Sequence, residues 1–356
     1  MTVRKEDVLS ALEKIALPDG GDLVSRDFVR ALTVDGGTVR FVIEAPDAGV
    51  AQRLAPVRDA AEKLVAGLSG VTSASVVLTA HGPAEKPAPN LKIGGHPKPQ
   101  AGPMKPAGVK KIIAIASGKG GVGKSTVSSN LAVALARQGK KVGLLDADIY
   151  GPSQPRMMGN HNRPGAHPDG KTIIPLQAHG VTMISIGSMT DPKQALVWRG
   201  PMLMGALQQL LGQVAWGELD VLLVDMPPGT GDVQLTLSQK SELDGAIVVS
   251  TPQDVALLDA RKAIDMFNKL NTPIFGMIEN MSFYHCPECG HEAHIFGHGG
   301  VKHEAEEMGV PLLAALPIDL DTRLGGDGGT PIATGDSAMA QAYGKLAEGL
   351  IASSVV

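Results

Sequence analysis

The sequence predicts an α/β fold: a mostly parallel sheet covered by helices on both faces, preceded by a small α+β domain of order α-β-β-α-β. Seven short, nearly all-apolar segments, KIIAIAS, KVGLLDAD, VTMISIG, DVLLVDMP, GAIVVST, PIFGMIEN and PLLAALP, alternate with helical stretches. That is how parallel strands buried on both faces read. The first of them runs straight into GKGGVGKST at 118–126 and on into an apolar-periodic helix from Thr126 to Arg137. Residues 81–110 hold seven prolines, five glycines and five lysines against one acid, Glu85. Such a stretch cannot build a core and reads as an extended, mobile linker over 81–108, separating a unit at 1–80 from one at 109–356.

The small unit opens with a helical pattern, KEDVLSALEKIA, followed by strands DFVRALTV and GTVRFVIEA joined through Asp35-Gly36-Gly37, a hairpin signal. A helix over about Ala48 to Leu68 and a third strand, VTSASVVLTA, complete it. It holds no cysteine and no ordered set of acids, so the chemistry is expected in the larger unit, at the carboxyl ends of its strands.

Composition narrows the function classes. Hydrophobic residues make up 43% of the chain, enough for a large core, and a formal net charge of −4 offers phosphate backbones or anionic lipid no global attraction. Nucleic acid and membrane are not expected partners. The start, MTVRKEDVLSALEKIALPDGG, lacks the apolar segment of a secretory signal. Two cysteines in 356 residues suit a reducing, cytoplasmic setting.

GKGGVGKST fits G-x-x-x-x-G-K-[ST] between a strand and a helix, the context that makes this motif a phosphate loop and the unit a P-loop NTPase. Gly118, Gly120, Gly121 and Gly123, with Val122 among them, let backbone N–H groups face phosphate oxygens at the helix N-terminus. Lys124 is expected on the β- and γ-phosphates, Ser125 on Mg²⁺ and Thr126 on the α-phosphate. LLDADIYGPS and VLLVDMPPGTGD end two strands in acids. Asp225 is assigned the Mg²⁺ water shell, Asp148 the attacking water, and Asp146 a place nearer the metal; Asp232 closes the glycine-rich turn.

Both cysteines, Cys286 and Cys289, lie in FYHCPECGH at 283–291. A C-x-x-C pair supplies two soft sulfur ligands, whereas structural zinc and iron–sulfur sites use four. His285, His291, His294 and His298 crowd the same stretch, so a Cys₂His₂ zinc site within one chain is one reading, although the usual zinc spacing is longer. A redox dithiol is another, despite the distance from any thioredoxin-like start. Phe283, Tyr284 and Phe296 are expected to pack the loop or cover its metal, and VWRGPMLMGALQQLL to form a helix and contribute to a dimer.

The second loop lysine, Lys119, resembles that of the deviant Walker A ATPases, the MinD/ParA/nitrogenase-iron-protein class. The resemblance implies a nucleotide-bridged homodimer in which Lys119 reaches the partner's nucleotide as an arginine finger does, and implies that Asn280 contacts the adenine of ATP. SGKGGVGKST, DADIYGPS, WRGPM, DMPPGTGD and IENMSFYHCPECGHEAHIFGHGG together resemble the Mrp/ApbC family of iron–sulfur cluster carriers over nearly all of 109–350. This implies that Cys286 and Cys289 of two protomers share a [4Fe-4S] cluster, and that ATP hydrolysis governs its retention or delivery to apoproteins. The small unit resembles the iron–sulfur assembly domain fused to some members, without the common D-P-E stretch. The rival is a MinD/ParA-type positioning ATPase with a structural zinc site; the last segment, QAYGKLAEGLIASSVV, lacks the basic amphipathic character of a membrane-positioning helix.

Overall fold

The computed structural model describes residues 3–17, 20–46, 48–80, 103–189 and 200–356. Most of the expected linker, 81–102, and Trp198 and Arg199 of WRGPM lie outside them. The chain divides into two compact units, Met1–Pro87 and Ala88–Val356.

The first unit contains α1 (Lys5–Leu12), β1 (Val29–Asp35), β2 (Thr38–Ala45), α2 (Ala48–Ala66) and β3 (Ser73–Ala80). The order is the expected one, with both helices ending a little early. Gly36 and Gly37 have φ of 54° and 86°, the left-handed pair a two-residue hairpin needs, and β1 and β2 pair antiparallel across them. β3 pairs parallel with β2 after the α2 crossover. Val39, Phe41 and Ile43 alternate along β2 into one core with Leu54, Ala61 and Val65 of α2.

In the second unit, β4 (Val109–Ala116), α3 (Lys124–Arg137), β5 (Val142–Asp146) and α4 (Gln154–Met157) lead into a β6 (Gly165–Ala166) and β7 (Ile173–Ile174) hairpin, then β8 (Leu176–Ala178) and β9 (Val181–Ser185). There follow α5 (Gly200–Gly212), β10 (Leu219–Asp225), α6 (Asp232–Lys240), β11 (Gly245–Ser250), α7 (Asp254–Lys269) and β12 (Ile274–His285). The last elements are β13 (Glu292–Ala293), α8 (Gly300–Met308), β14 (Leu312–Ile318), α9 (Leu320–Gly328) and α10 (Ala338–Ala352).

The central strands run in the order β12-β11-β4-β10-β5-β9, all parallel, with β14 parallel to β12 and the short β8 and β13 antiparallel. β4 shows why its sequence is apolar throughout. Ile113 and Ile115 enter the core beneath α3 and α10, whereas Ile112, Ala114 and Ala116 enter the core beneath α5 and α6. Both faces are buried, so no position alternates to polar.

Two expectations change. The last linker residues are fixed to the larger unit rather than mobile: the Met104 N–H donates to the Lys240 carbonyl at 2.8 Å, the Glu242 N–H returns to the Met104 carbonyl at 3.0 Å, and Lys105 pairs with Asp244 at 3.0 Å. The PIFGMIEN strand does not stop at Asn280; β12 continues through MSFYH and delivers the chain directly to Cys286.

Candidate functional site

β4 leads into the phosphate loop beside α7, where Gly118 makes the tightest approach. A Cβ there would lie 2.0 Å from the Asp259 carbonyl carbon, so no larger residue fits without moving α7. Gly121 and Gly123 take φ of 84° and 83°, and Gly123 caps α3, which begins at Lys124 rather than Thr126. Val122 is buried in the core and anchors the loop from below. Gly120 and Lys119 are exposed; the Lys119 carbonyl accepts from Ser117 Oγ at 2.9 Å.

Behind the loop lies a buried polar cluster. Lys124 Nζ is 2.6 Å from Asp225 Oδ1 and donates to Ser125 Oγ at 3.3 Å. Ser128 Oγ donates to the same carboxylate oxygen at 3.0 Å, and Gln154 Nε2 reaches Asp225 Oδ2 at 2.8 Å and the Ser125 carbonyl at 3.0 Å. Thr126, in the first turn of α3, lines a cavity.

Strand register sets Asp146 beside Asp225 at the ends of β5 and β10. Burial, reinforced by the Asp225 charge, pushes the Asp146 carboxyl up to about 7. Its oxygens accept from the N–H groups of Asp148, Ser153 and Gln154 at 3.1–3.2 Å and from Ser185 Oγ at 2.9 Å. Asp146 is therefore the anchor of the DADIYGPSQ turn, and its buried carboxyl stands beside that of Asp225, the other acid assigned to the metal. Asp148, half-buried on that turn, is also raised by burial, with the Lys124 charge opposing. Asp232 begins α6 and is exposed.

The oxygens available for a metal beside Ser125 are its own hydroxyl and Asp225, and Gln154, bonded to the Ser125 carbonyl through Nε2, also carries an Oε1 that is buried without a hydrogen-bond partner. Hard oxygen donors with an unspent acceptor suit a hydrated Mg²⁺. Gln154 was not legible as a site residue; its only signal is a polar residue closing the segment that Asp146 opens.

A cavity of about 440 Å³ opens from the start of α3, lined by Gly123, Thr126, Asn280, Met281, Phe296 and Met339 among others. Asn280 stands where a base contact was expected, but one of its amide hydrogens goes to the Val122 carbonyl at 2.9 Å. Phe296, expected to pack the loop or cover its metal, lines this cavity.

At the end of β12 the cysteines form a tight turn: the Cys286 N–H donates to the His291 carbonyl at 3.0 Å and the Gly290 N–H to the Cys286 carbonyl at 2.8 Å. Backbone N–H groups of Cys289 and Glu288 point at the Cys286 sulfur and hold its pKa below that of a free thiol. Cys286 is half-buried and Cys289 exposed. The histidines collect elsewhere. Glu292 takes His285 Nε2 at 2.8 Å and His294 Nε2 at 3.3 Å, while His298 Nδ1 lies 3.2 Å from His294 Nδ1. The hydrogen bond from His285, with the nearby His charges, holds the Glu292 carboxyl below its usual range. His291 contributes its carbonyl to the turn. Among the described residues no group of three or more His, Cys, Asp or Glu side chains is arranged to hold a metal ion.

Residues 108–351 match the family model described as NUBPL iron-transfer P-loop NTPase, and residues 5–76 the model described as iron-sulfur cluster assembly protein. The iron-sulfur cluster carrier protein of Pseudomonas fragi is 50% identical over 287 residues, 80% of this chain and 96% of that protein. That of Helicobacter pylori is 44% identical over 358 residues, 98% of this chain and 92% of that protein. Among solved structures, the nucleotide-binding protein of Archaeoglobus fulgidus in complex with ADP is 39% identical with a TM-score of 0.55, covering 62% of this chain and 87% of that one. MinD of Pyrococcus horikoshii complexed with Mg-ADP is 26% identical with a TM-score of 0.51, covering 67% and 95%. By its sequence over most of its length and by the strand-loop-helix that carries its phosphate loop, this chain belongs to the family of NUBPL iron-transfer P-loop NTPases.

Proposed function

We propose that this protein is an ATP-hydrolysing carrier that holds a [4Fe-4S] cluster between two copies of itself and passes it to apoproteins. One observation carries the reading: an accessible pair of thiols, two ligands short of a Cys₄ site, ends the very strand whose Asn280 grips the phosphate loop. A second copy supplies the other two thiolates.

In this reading the loop from Gly118 to Thr126 wraps the phosphates with its N–H groups, and the cavity takes the base. Lys124 leaves Asp225 for the β- and γ-phosphates. Ser125, Asp225 and Gln154 hold Mg²⁺, which neutralises phosphate charge when bound. Asp148 orients the attacking water, and its raised proton affinity suits a group that takes a proton. Lys119, exposed at the lip, serves the partner's nucleotide. The cluster is cargo, held by Cys286 and Cys289, whose lowered thiol pKa at Cys286 favours the ligating thiolate. A reducing cytoplasm keeps such thiols available. No described helix is long and apolar enough to cross a membrane.

Anaerobic reconstitution tests the proposal. Iron, sulfide and zinc are measured per dimer for the wild type and Cys286→Ala. A Cys₄ site between protomers gives about four irons and four sulfides, lost in the variant; zinc at one per chain without iron sinks the carrier reading.

A further inference from the structure

Met281 is a methionine with φ of 56°, a left-handed conformation that non-glycine residues seldom adopt inside a strand. It sits at an irregularity in β12. Asn280 pairs with Leu316 of β14, and the next pairing is Tyr284 with Ile318, so four steps along β12 are spent against two along β14. Such a bulge has discrete alternatives, because sliding the extra residues changes which side chains face which way.

Both ends of this bulge are tied to something that matters. On the phosphate side, Asn280 holds the Val122 carbonyl at 2.9 Å, and Asn280 and Met281 both line the cavity. On the other side, Ser282 Oγ donates to the buried Glu279 carboxylate, and the Ser282 carbonyl lies 3.4 Å from His294 Nδ1. His294 meets Glu292 at 3.3 Å, and Glu292 holds His285, the residue before Cys286, at 2.8 Å. The return strand of the same loop brings Phe296 back into the cavity wall. Just beyond it Gly300 packs closely, since a Cβ there would lie 2.6 Å from the Pro252 carbonyl oxygen.

We propose that Met281 and Phe296 are the positioning residues through which nucleotide in the cavity sets the conformation of the Cys286–Cys289 turn. The proposal rests on the nucleotide and cargo reading above and names its mechanical link. A ligand shifts a two-state element only by contacting its states differently, and a base in this cavity touches both residues directly. The fused network from Ser282 to His285 carries the change to the thiols.

The test uses the full-length, reduced, cluster-free protein. Iodoacetamide alkylation of Cys286 and Cys289 is followed by mass spectrometry with and without saturating Mg-ADP, whose binding is measured separately by calorimetry. Bound Mg-ADP is expected to change the wild-type alkylation rate by about fivefold or more, the lower range of inter-site coupling. Phe296→Ala and Met281→Gly, compared at saturating nucleotide, are expected to shrink that change to less than about twofold, with Phe296→Leu restoring most of it. Unchanged alkylation in wild type with Mg-ADP bound overturns the relay, as does a full response in both variants. A wild type that binds no Mg-ADP overturns the proposed function and the relay with it. A nucleotide response lost in the variants, in a protein that takes up no iron, supports the relay while sinking the cargo reading.

Discussion

Lys124 and Asp225 are 6% and 0% exposed, and both Asp225 oxygens are bonded from within the chain, whereas Cys286 is only half-buried and Cys289 is open to solvent. These two loops end strands that flank the same neighbour, β11. The phosphate loop has its backbone imposed by glycines, its lysine neutralised and its acids bonded before any ligand arrives. The cysteine loop is ordered by its own turn and by a histidine–carboxylate cluster, yet offers only two ligands. Under the proposed function, the difference says where a second molecule would enter. A preorganised nucleotide site can be built by one chain; a site whose ligand set is half complete recruits its remainder from outside.

The sharpest way to break this contrast is at Lys119. If it serves the partner's nucleotide, Lys119→Ala slows ATP hydrolysis by about 10³-fold or more. Its exposure predicts a melting temperature unchanged by the same substitution. Hydrolysis at the wild-type rate would return Lys119 to a solvated surface residue. Next comes Lys124→Ala, which strands the buried Asp225 carboxylate and is expected to cost about 3–5 kcal/mol in denaturant unfolding. A loss below about 1 kcal/mol, the scale of an exposed pair, would show the cluster to be wetter than its geometry implies. Gly118→Ala forces α7 away from the loop and is expected to cost about 1–3 kcal/mol, with weakened ADP binding, by the same assay plus calorimetry.

Asp146 gives a pH signature. Its folded carboxyl holds a proton up to about 7, against about 3.9 in an unfolded chain, so the folded state binds that proton more tightly. The stability this contributes is fully present below about pH 4 and lost as the pH rises through 7. In magnesium-free buffer, Asp146→Asn is expected to flatten the fall in melting temperature over that window; parallel curves would refute the assignment. The smallest effect belongs to the other loop. Cys286→Ala removes iron uptake while changing unfolding free energy by no more than about 0.5 kcal/mol, because the thiol it deletes is half-buried and supports no core.

Much of this was legible in advance for identifiable reasons. The glycine spacing of the phosphate loop is a backbone requirement, and backbone requirements leave a residue signature. The strands of the large unit could be read because burial on both faces removes polar alternation, as in β4. Gly36-Gly37 foretold a hairpin through the sign of φ alone. Other features left no trace. The sequence set Asp146 nearer the metal and Asp148 on the attacking water, but only the register of β5 with β10 shows that the first is buried beside Asp225 while the second stays half-open. Met281 in a left-handed bulge has no sequence signal, since methionine is not chosen for positive φ.

The sequence by itself determined the fold class, the phosphate loop, the two-unit order and the shortage of thiol ligands, because each follows from local backbone chemistry, periodicity or simple count. Only the tertiary structure decided that Gln154 bonds Asp225, that His285 and His294 pair with Glu292, and that Phe296 of the cysteine loop lines the cavity. Those assignments depend on residues far apart in the chain meeting at particular distances, and distance between remote residues is fixed by packing, not by spacing along the chain.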